Sequence, residues 1–293
     1  MSNKADERKS FFQKIRGGKA DGAEMTFIEH LEELRWHLVR SAIVLVIIAI
    51  VVFINVDWVF DNIIFAPANK DFYSYKMLCN LSHFLHIGDA LCMPPIEIHL
   101  LGDTVSGPFM SAISISFMGA IILAFPYLLW EIWRFIKPAL TQKETKYVKG
   151  SIWWVSLCFF LGAAFGYFLL APFTFNFLAN FQLGTLGVYD YRPKLGDYID
   201  TLTSLTLGCG LAFEMPIIVY VLSKIGIVTP TFLKNYRKYA YVGILVLAAI
   251  ITPSPDWTSQ AIVATPLILL YEISIVLSKR VAKEKEAADK QWE

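Results

Sequence analysis

The chain has little charge, and the short motifs that mark several enzyme classes are missing. Asp, Glu, Lys and Arg make up 17% of its 293 residues and the net charge is only +1, so electrostatics give no reason to expect nucleic-acid binding. Neither a G-x-S-x-G nor an H-E-x-x-H motif occurs, and no nucleotide-binding loop is present. We therefore predict that the protein is not an enzyme, has no cofactor and draws energy from a source other than nucleotide hydrolysis.

The first 24 residues also lack the apolar core of a cleavable signal peptide. They carry charges of both signs and few apolar side chains, which is typical of a flexible tail. We predict a flexible cytoplasmic tail over 1–24, so that the first spanning helix itself serves as the targeting signal.

Apolar sequence, by contrast, is abundant. Hydrophobic residues make up 56% of the chain and the mean hydropathy is +0.51, too apolar for an ordinary soluble domain. Most of the apolar runs approach the roughly 20 residues that a helix needs to cross a bilayer. The runs lie at about 38–56, 108–132, 151–172, 198–222, 239–251 and 259–277. The predicted fold class is all-α: a polytopic membrane protein with six transmembrane helices in a membrane domain over 25–280, followed by a cytoplasmic tail over 281–293.

The basic residues are distributed unevenly among the segments that join these runs. Of the 26 Lys and Arg, 22 lie before Val44, in the connections 133–150 and 223–238, and after the last run. Basic residues accumulate on the cytoplasmic side of membrane proteins. Both termini are therefore predicted to be cytoplasmic.

The fifth and sixth runs are unusual. Only about 14 residues separate Lys238 from Pro253, which at a rise of 1.5 Å per residue is about 20 Å of helix. That is shorter than the roughly 30 Å hydrocarbon core, and such mismatch thins the bilayer locally or is shielded by other helices. We predict that these two helices are short and form an antiparallel hairpin.

Two of the four cysteines lie in the connection between the first two runs. Cys79 and Cys92 fall on the side that the charge distribution makes external, and external cysteines commonly form disulfides. His83, His86 and His99 share this connection, so a Cys/His zinc site is an alternative. Because the spacing matches no standard zinc signature, a disulfide is the favoured interpretation.

Ionisable or strongly polar residues inside spans are costly and are candidates for function. Glu214 lies about 15 Å along a helix from Lys224, near mid-membrane. Pro216 interrupts the backbone hydrogen bonds beside it, which predicts a polar pocket or a purely structural carboxylic acid. Gln260, Glu272 and Glu131 are weaker candidates because each can reach an interface. In the third run, Gly162 and Gly166 predict close packing against another helix.

A second group of candidates lies on the basic, cytoplasmic side. Glu33 and Glu144 are carboxylates on surfaces otherwise rich in Lys and Arg. An isolated acid in such a setting is usually a local ion-pair partner. Two carboxylates brought together could instead bind guanidinium groups, since Arg binds carboxylate bidentately.

Four ordered motifs make the chain similar to a known family. The motifs are His30–Arg35 (HLEELR), Phe135–Leu140 (FIKPAL) with Glu144 following, Phe213–Pro216 (FEMP), and Thr252–Pro253 with Asp256 and Gln260. Together they closely resemble the TatC family, the multispanning receptor subunit of twin-arginine protein translocases.

The resemblance implies a function and a set of site residues. TatC proteins recognise signal peptides with paired arginines, work with TatA- and TatB-type single-span subunits, associate with one another, and use the proton-motive force to export folded proteins. By motif, Glu33 and Glu144 would bind the two arginines, and Arg35, Phe135 and Pro138 would belong to the same signal-peptide site. The intramembrane polar residues would be Glu214, Pro216 and Gln260.

The sequence leaves one other function open and departs from the family in places. An ion-coupled secondary transporter with Glu214 as its intramembrane site is the alternative, although no internal repeat of the kind common in transporters is present. Trp36 follows Arg35 where a second basic residue is frequent in the family. The first external connection is longer than usual, and the family does not explain its two cysteines.

Overall fold

The structure is a computed structural model that describes the chain from residue 27 onwards, with gaps. The described residues are 27–69, 72–84, 86, 92, 99–102, 104–136, 151–180, 192–252 and 257–289. The predicted tail over 1–24 lies outside them. Residues up to Arg40 and residues from Ser41 onwards form two compact units, and helix α1 contributes to both.

The regular secondary structure of the described chain is helical apart from one isolated parallel bridge between Leu101 and Lys194. The α-helices are α1 (Phe27–Ile54), α2 (Val56–Val59), α3 (Tyr73–Phe84), α4 (Gly107–Ile136), α5 (Ser151–Phe165), α6 (Ala171–Asn180), α7 (Leu195–Ala212), α8 (Met215–Ile225), α9 (Pro230–Asn235), α10 (Arg237–Ile251) and α11 (Trp257–Asp289). Two π-helical segments (Phe60–Ile64 and Gly166–Leu170) and a 3-10 turn (Ala66–Ala68) join some of them.

Five helical segments of the described chain are long and apolar enough to cross a bilayer. They are Glu32–Ile54, Gly107–Phe135, Ile152–Asn180, Leu195–Ile225 and Gln260–Lys285. The third comprises α5, the π-helical segment and α6, and the fourth comprises α7 and α8. These five segments contain five of the six predicted apolar runs.

The remaining run forms a short helix, as predicted. Helix α10 has 15 residues, which at 1.5 Å per residue is about 22 Å. The prediction for the sixth run was wrong, however, because α11 has 33 residues and continues without a break past Pro266 to Asp289. Its apolar part is followed by a charged stretch that remains helical, so sequence hydropathy alone ended the helix too early.

Gly162 and Gly166 pack against α7, which confirms the predicted close helix approach. A Cβ atom built on Gly162 would lie 2.5 Å from the carbonyl oxygen of Cys209. A Cβ atom on Gly166 would overlap the carbonyl oxygen of Leu205 and lie 3.0 Å from the Cα atom of Thr206. The obstacles are backbone atoms, so only glycine allows these two helices to approach this closely.

Tyrosine hydroxyls anchor the segment that follows α1. Tyr198 on α7 donates a hydrogen bond of 2.7 Å to the carbonyl oxygen of Ile64, and Tyr167 donates one of 2.6 Å to that of Ile63. Tyr75 on α3 donates to the carbonyl oxygen of Pro67 at 2.9 Å. These bonds satisfy backbone acceptors that the irregular segment leaves free, and they hold this connection against the helical bundle.

Candidate functional site

The first candidate site residue, Glu33, lies near the start of α1. Glu33 is half-buried, and no described residue forms an ion pair or hydrogen bond with it. The neighbouring acid is different: Glu32 is 65% exposed and accepts a hydrogen bond of 3.3 Å from Arg35. The motif therefore holds one carboxylate that already has a cation and one that can receive one.

Phe135 lies in the last turn of α4. It is half-buried and takes part in a side-chain interaction, and the guanidinium of the adjacent Arg134 lies 5.6 Å from the ring centre of Trp130. Pro138 and Glu144 lie outside the described residues. The predicted pairing of Glu33 with Glu144 therefore stays a prediction.

Glu214 lies at a break between two helices in the membrane interior. Helix α7 ends at Ala212, and α8 begins at Met215 with Pro216 in its first turn. Proline fits this position because the first N–H groups of a helix have no intrahelical partner. The predicted interruption of backbone hydrogen bonds is thus a change of helix, and Glu214 occupies the N-cap position without capping through its side chain.

The carboxylate of Glu214 is enclosed by protein. The residue is 5% exposed, and within the described chain neither carboxylate oxygen forms a hydrogen bond. The backbone of Phe159, a fully buried residue on α5, lies beside the carboxylate. A buried, unsatisfied carboxyl group is destabilising, and this arrangement supports a functional role more than a structural one.

Gln260, the third predicted intramembrane residue, joins α11 to α10. Its side-chain amide donates a hydrogen bond of 2.9 Å to the backbone carbonyl oxygen of Leu245. The contact ties the two helices of the predicted hairpin together. Its side chain is only half-buried, so part of it stays accessible to another helix.

Sequence reasoning missed a polar cluster at the other end of the same helix pair. Glu272 on α11 accepts a hydrogen bond of 2.9 Å from Nη2 of Arg237 and one of 2.6 Å from the hydroxyl of Tyr241. Arg237 and Tyr241 are four residues apart and therefore share one face of α10. That spacing was the available signal, but it does not identify a partner 35 positions away.

Glu131, the remaining candidate acid of the spans, lies inside the protein. Glu131 is 2% exposed and accepts a hydrogen bond of 2.7 Å from the hydroxyl of Tyr127, one turn earlier on α4. The tyrosine four residues before it supplies a local donor, which allows the carboxylate to remain inside the protein.

The two cysteines of the connection between the first two runs are bonded to each other. A disulfide joins Cys79 on α3 to Cys92, across a sequence separation of 13. The ring nitrogen Nε2 of His83 lies 3.6 Å from Sγ of Cys79 and 3.8 Å from Sγ of Cys92. The other two cysteines, Cys158 and Cys209, are free thiols within the spans.

Sequence comparison places these sites in a family context. Residues 29–266 match the model of the family described as Sec-independent protein translocase protein (TatC). The Sec-independent protein translocase protein TatC of Blattabacterium sp. subsp. Periplaneta americana is 38% identical over 270 residues, which cover 91% of this chain and 100% of that protein. The protein of the same description from Aquifex aeolicus is 36% identical over 270 residues, with the same coverage of both chains.

Solved structures agree with the sequence comparison. The crystal structure of the twin-arginine translocase receptor TatC superposes with a TM-score of 0.64 at 33% identity, covering 87% of this chain and 100% of that chain. The crystal structure of the same receptor in DDM superposes with a TM-score of 0.68 at 34% identity, covering 85% and 99%. The match confirms the predicted fold class of a six-span, all-α membrane protein. On the combined weight of its motifs, its helices and these matches, the chain belongs to the TatC family of Sec-independent protein translocase proteins.

Proposed function

We propose that this translocase component is the receptor for twin-arginine signal peptides and that Glu33 and Glu144 bind the two arginines. Arg35, Phe135 and Pro138 belong to the same site and shape the surface around the peptide. The protein is a transport protein rather than an enzyme. Membership of the TatC family favours this role over the alternative, an ion-coupled secondary transporter.

The observation that carries this proposal is the contrast between two adjacent acids on α1. Glu32 is exposed and already has Arg35 as its cation, whereas Glu33 is half-buried and has no partner among the described residues. A partly desolvated carboxylate gains more from an incoming cation than an exposed one, because water screens the charge less. Glu33 is therefore the acid of this motif that can accept a guanidinium group from a ligand.

The ligand's chemistry fits two carboxylates better than one. Guanidinium is planar and presents paired N–H donors that match the two oxygens of a carboxylate. Two adjacent arginines need two such acceptors, and a lysine pair would supply charge without the planar fork. Two carboxylates would thus supply both affinity for a signal peptide and a preference for arginine over lysine in it.

A later transport step involves the membrane interior. We propose that Glu214, at the break between α7 and α8, contacts the inserted peptide or a partner helix. We also propose that Gln260 contributes where partner helices dock. These partners are TatA- and TatB-type single-span subunits and further copies of the chain. The proton-motive force drives export, both termini are cytoplasmic, and the protein resides in the bacterial inner membrane.

The test is site-directed neutralisation with a matched control. Glu33→Gln and Glu144→Gln should each reduce crosslinking of a twin-arginine signal peptide. Each lost contact to a charged group is worth about 1.5–3 kcal/mol, and about 1.4 kcal/mol is a factor of ten, so the loss should be roughly ten- to a hundredfold.

Glu32→Gln is the control because it removes the same charge one residue away. Glu32 is exposed and its ion pair with Arg35 is a surface pair, so its loss should change peptide binding by less than about fivefold, the effect of 1 kcal/mol. Glu214→Gln should leave crosslinking unchanged and reduce transport. Equal binding by the Glu33→Gln and Glu32→Gln variants would contradict the assigned role of Glu33.

A further inference from the structure

Three side chains with metal-binding chemistry converge in the connection between α2 and α4. Cys79 and His83 are four residues apart on α3 and so share one face of that helix. Cys92 is brought to the same face by its bond to Cys79. One ligand atom from each of the three residues lies within 4.8 Å of the other two.

The position of the imidazole matches zinc geometry. With Zn–S bonds of about 2.3 Å, Zn–N bonds of about 2.0 Å and tetrahedral angles, a sulfur and a nitrogen ligand are about 3.6 Å apart. Nε2 of His83 lies 3.6 Å and 3.8 Å from the two sulfur atoms. The imidazole is therefore within reach of both sulfur atoms, which would move from a bonded pair to about 3.8 Å apart in order to share one ion with it.

We propose that the reduced form of this connection binds one zinc-class divalent cation through the thiolates of Cys79 and Cys92 and through Nε2 of His83. Two thiolates and an imidazole are a ligand set that zinc prefers, and water completes the tetrahedron. Disulfide formation and metal binding exclude each other, because the same two sulfur atoms serve in both. The site shares no residue with those assigned to signal-peptide binding and transport.

The exchange between the disulfide form and the cation-bound form balances in atoms and electrons. A dithiol reductant breaks the Cys79–Cys92 bond by thiol–disulfide exchange, which leaves two thiols on the chain and a disulfide on the reductant. Each thiol then loses one proton as it becomes a ligand of the cation. In the reverse direction a disulfide-bearing oxidant accepts two electrons, the bond between the two cysteines forms again, and the cation leaves.

This chemistry would keep the connection crosslinked under either redox condition. Helix α3 is joined to residue 92 by a covalent bond in the oxidised form and by a shared cation in the reduced form. The buried residues Ser74, Tyr75 and Leu78 hold α3 against the rest of the protein. The crosslink therefore fixes Cys92 relative to α3 in both states.

Cobalt spectroscopy on the full-length chain tests the proposal. Co²⁺ bound tetrahedrally by thiolates absorbs light in a way that hydrated Co²⁺ does not, and it occupies zinc sites. The protein, purified in detergent and reduced with a phosphine, is titrated with Co²⁺ and then with Zn²⁺. We expect saturable thiolate–cobalt absorption that Zn²⁺ abolishes, and none in the oxidised protein.

Variants assign the signal to these residues. Cys79→Ser and Cys92→Ser should each abolish the absorption. His83→Asn should weaken cobalt binding by more than about tenfold. Replacing a residue that only contacts a metal ligand already costs about tenfold in affinity, and His83 would be a ligand itself. His86→Asn is the matched control: His86 is also an exposed histidine of this connection, with Nδ1 3.1 Å from the carbonyl oxygen of Phe84, and its replacement should leave the affinity unchanged.

A measurement on the unmodified chain covers the case in which a variant fails to fold. After reduction, Zn²⁺ should protect Cys79 and Cys92 from alkylation, as mapped by mass spectrometry, while the alkylation of Cys158 stays the same. Absence of thiolate–cobalt absorption in the reduced chain, the same absorption in Cys79→Ser, or alkylation that Zn²⁺ does not affect would each overturn the proposal.

Discussion

Replacing Gly166 by alanine should separate α7 from the helix that carries Gly166. The added Cβ atom would overlap the carbonyl oxygen of Leu205 and lie 3.0 Å from the carbonyl carbon of Leu205 and from the Cα atom of Thr206. These are backbone atoms, so no side-chain rotation relieves the clash and the helices must move apart. Overpacking of this kind destabilises proteins by about 1–3 kcal/mol.

Gly243→Ala is the matched control. Gly243 lies within α10, and a Cβ atom there would meet nothing within 4 Å. The same substitution should therefore stabilise the protein by about 0.5–1 kcal/mol, because alanine favours a helix more than glycine does. One chemical change thus has opposite predicted signs at two positions.

The assay is thermal stability of the purified protein in detergent. Each variant is heated in steps, and the fraction that remains monodisperse on size-exclusion chromatography gives a midpoint temperature. The midpoint of the Gly166→Ala variant should lie below that of the unmodified chain, and that of Gly243→Ala at or above it. A Gly166→Ala midpoint equal to or above the Gly243→Ala midpoint would refute the packing argument.

Two further predictions concern topology and the anchoring of the first connection. In intact cells, a membrane-impermeant thiol reagent should label a cysteine introduced at Asp89 but not one at Lys146, because the distribution of basic residues places the second site inside; labelling at Lys146 would contradict the orientation. Tyr198→Phe removes the hydroxyl that donates to the carbonyl oxygen of Ile64 at 2.7 Å and should lower stability by about 1–3 kcal/mol. Tyr73→Phe, at a residue 70% exposed, should have little effect, and equal midpoints for these two variants would argue against the anchor.

The helices could be predicted from the sequence because hydropathy and length are local properties. Six apolar runs predicted the six-span fold. The short fifth run predicted a short helix, and α10 has 15 residues. Gly162 and Gly166 correctly indicated close approach, since their spacing places both on one face of a helix. Local sequence could not identify α7 as the partner, because that depends on how the helices are rotated and ordered in the bundle.

Polar contacts between distant helices were the part that sequence could not supply. The bonds from Arg237 and Tyr241 to Glu272 join residues more than 30 positions apart, and no periodicity within either helix identifies them. Glu131 illustrates the same limit: its position near the end of a span is a local property, but its burial depends on neighbouring helices. Glu214 was identified because proline beside an intramembrane acid is a local signal, whereas the absence of a hydrogen-bond partner among the described residues is a tertiary property.

Co-purification of the chain with a tagged twin-arginine precursor tests the proposed receptor role most directly. Membranes containing the chain and the precursor are solubilised in mild detergent, and the precursor is captured through its tag. The chain should be recovered with the native signal peptide and should be lost by roughly ten- to a hundredfold when both arginines are changed to lysine, because lysine lacks the planar fork that two carboxylates bind. Equal recovery with the paired arginines and with the paired lysines would contradict recognition by two carboxylates.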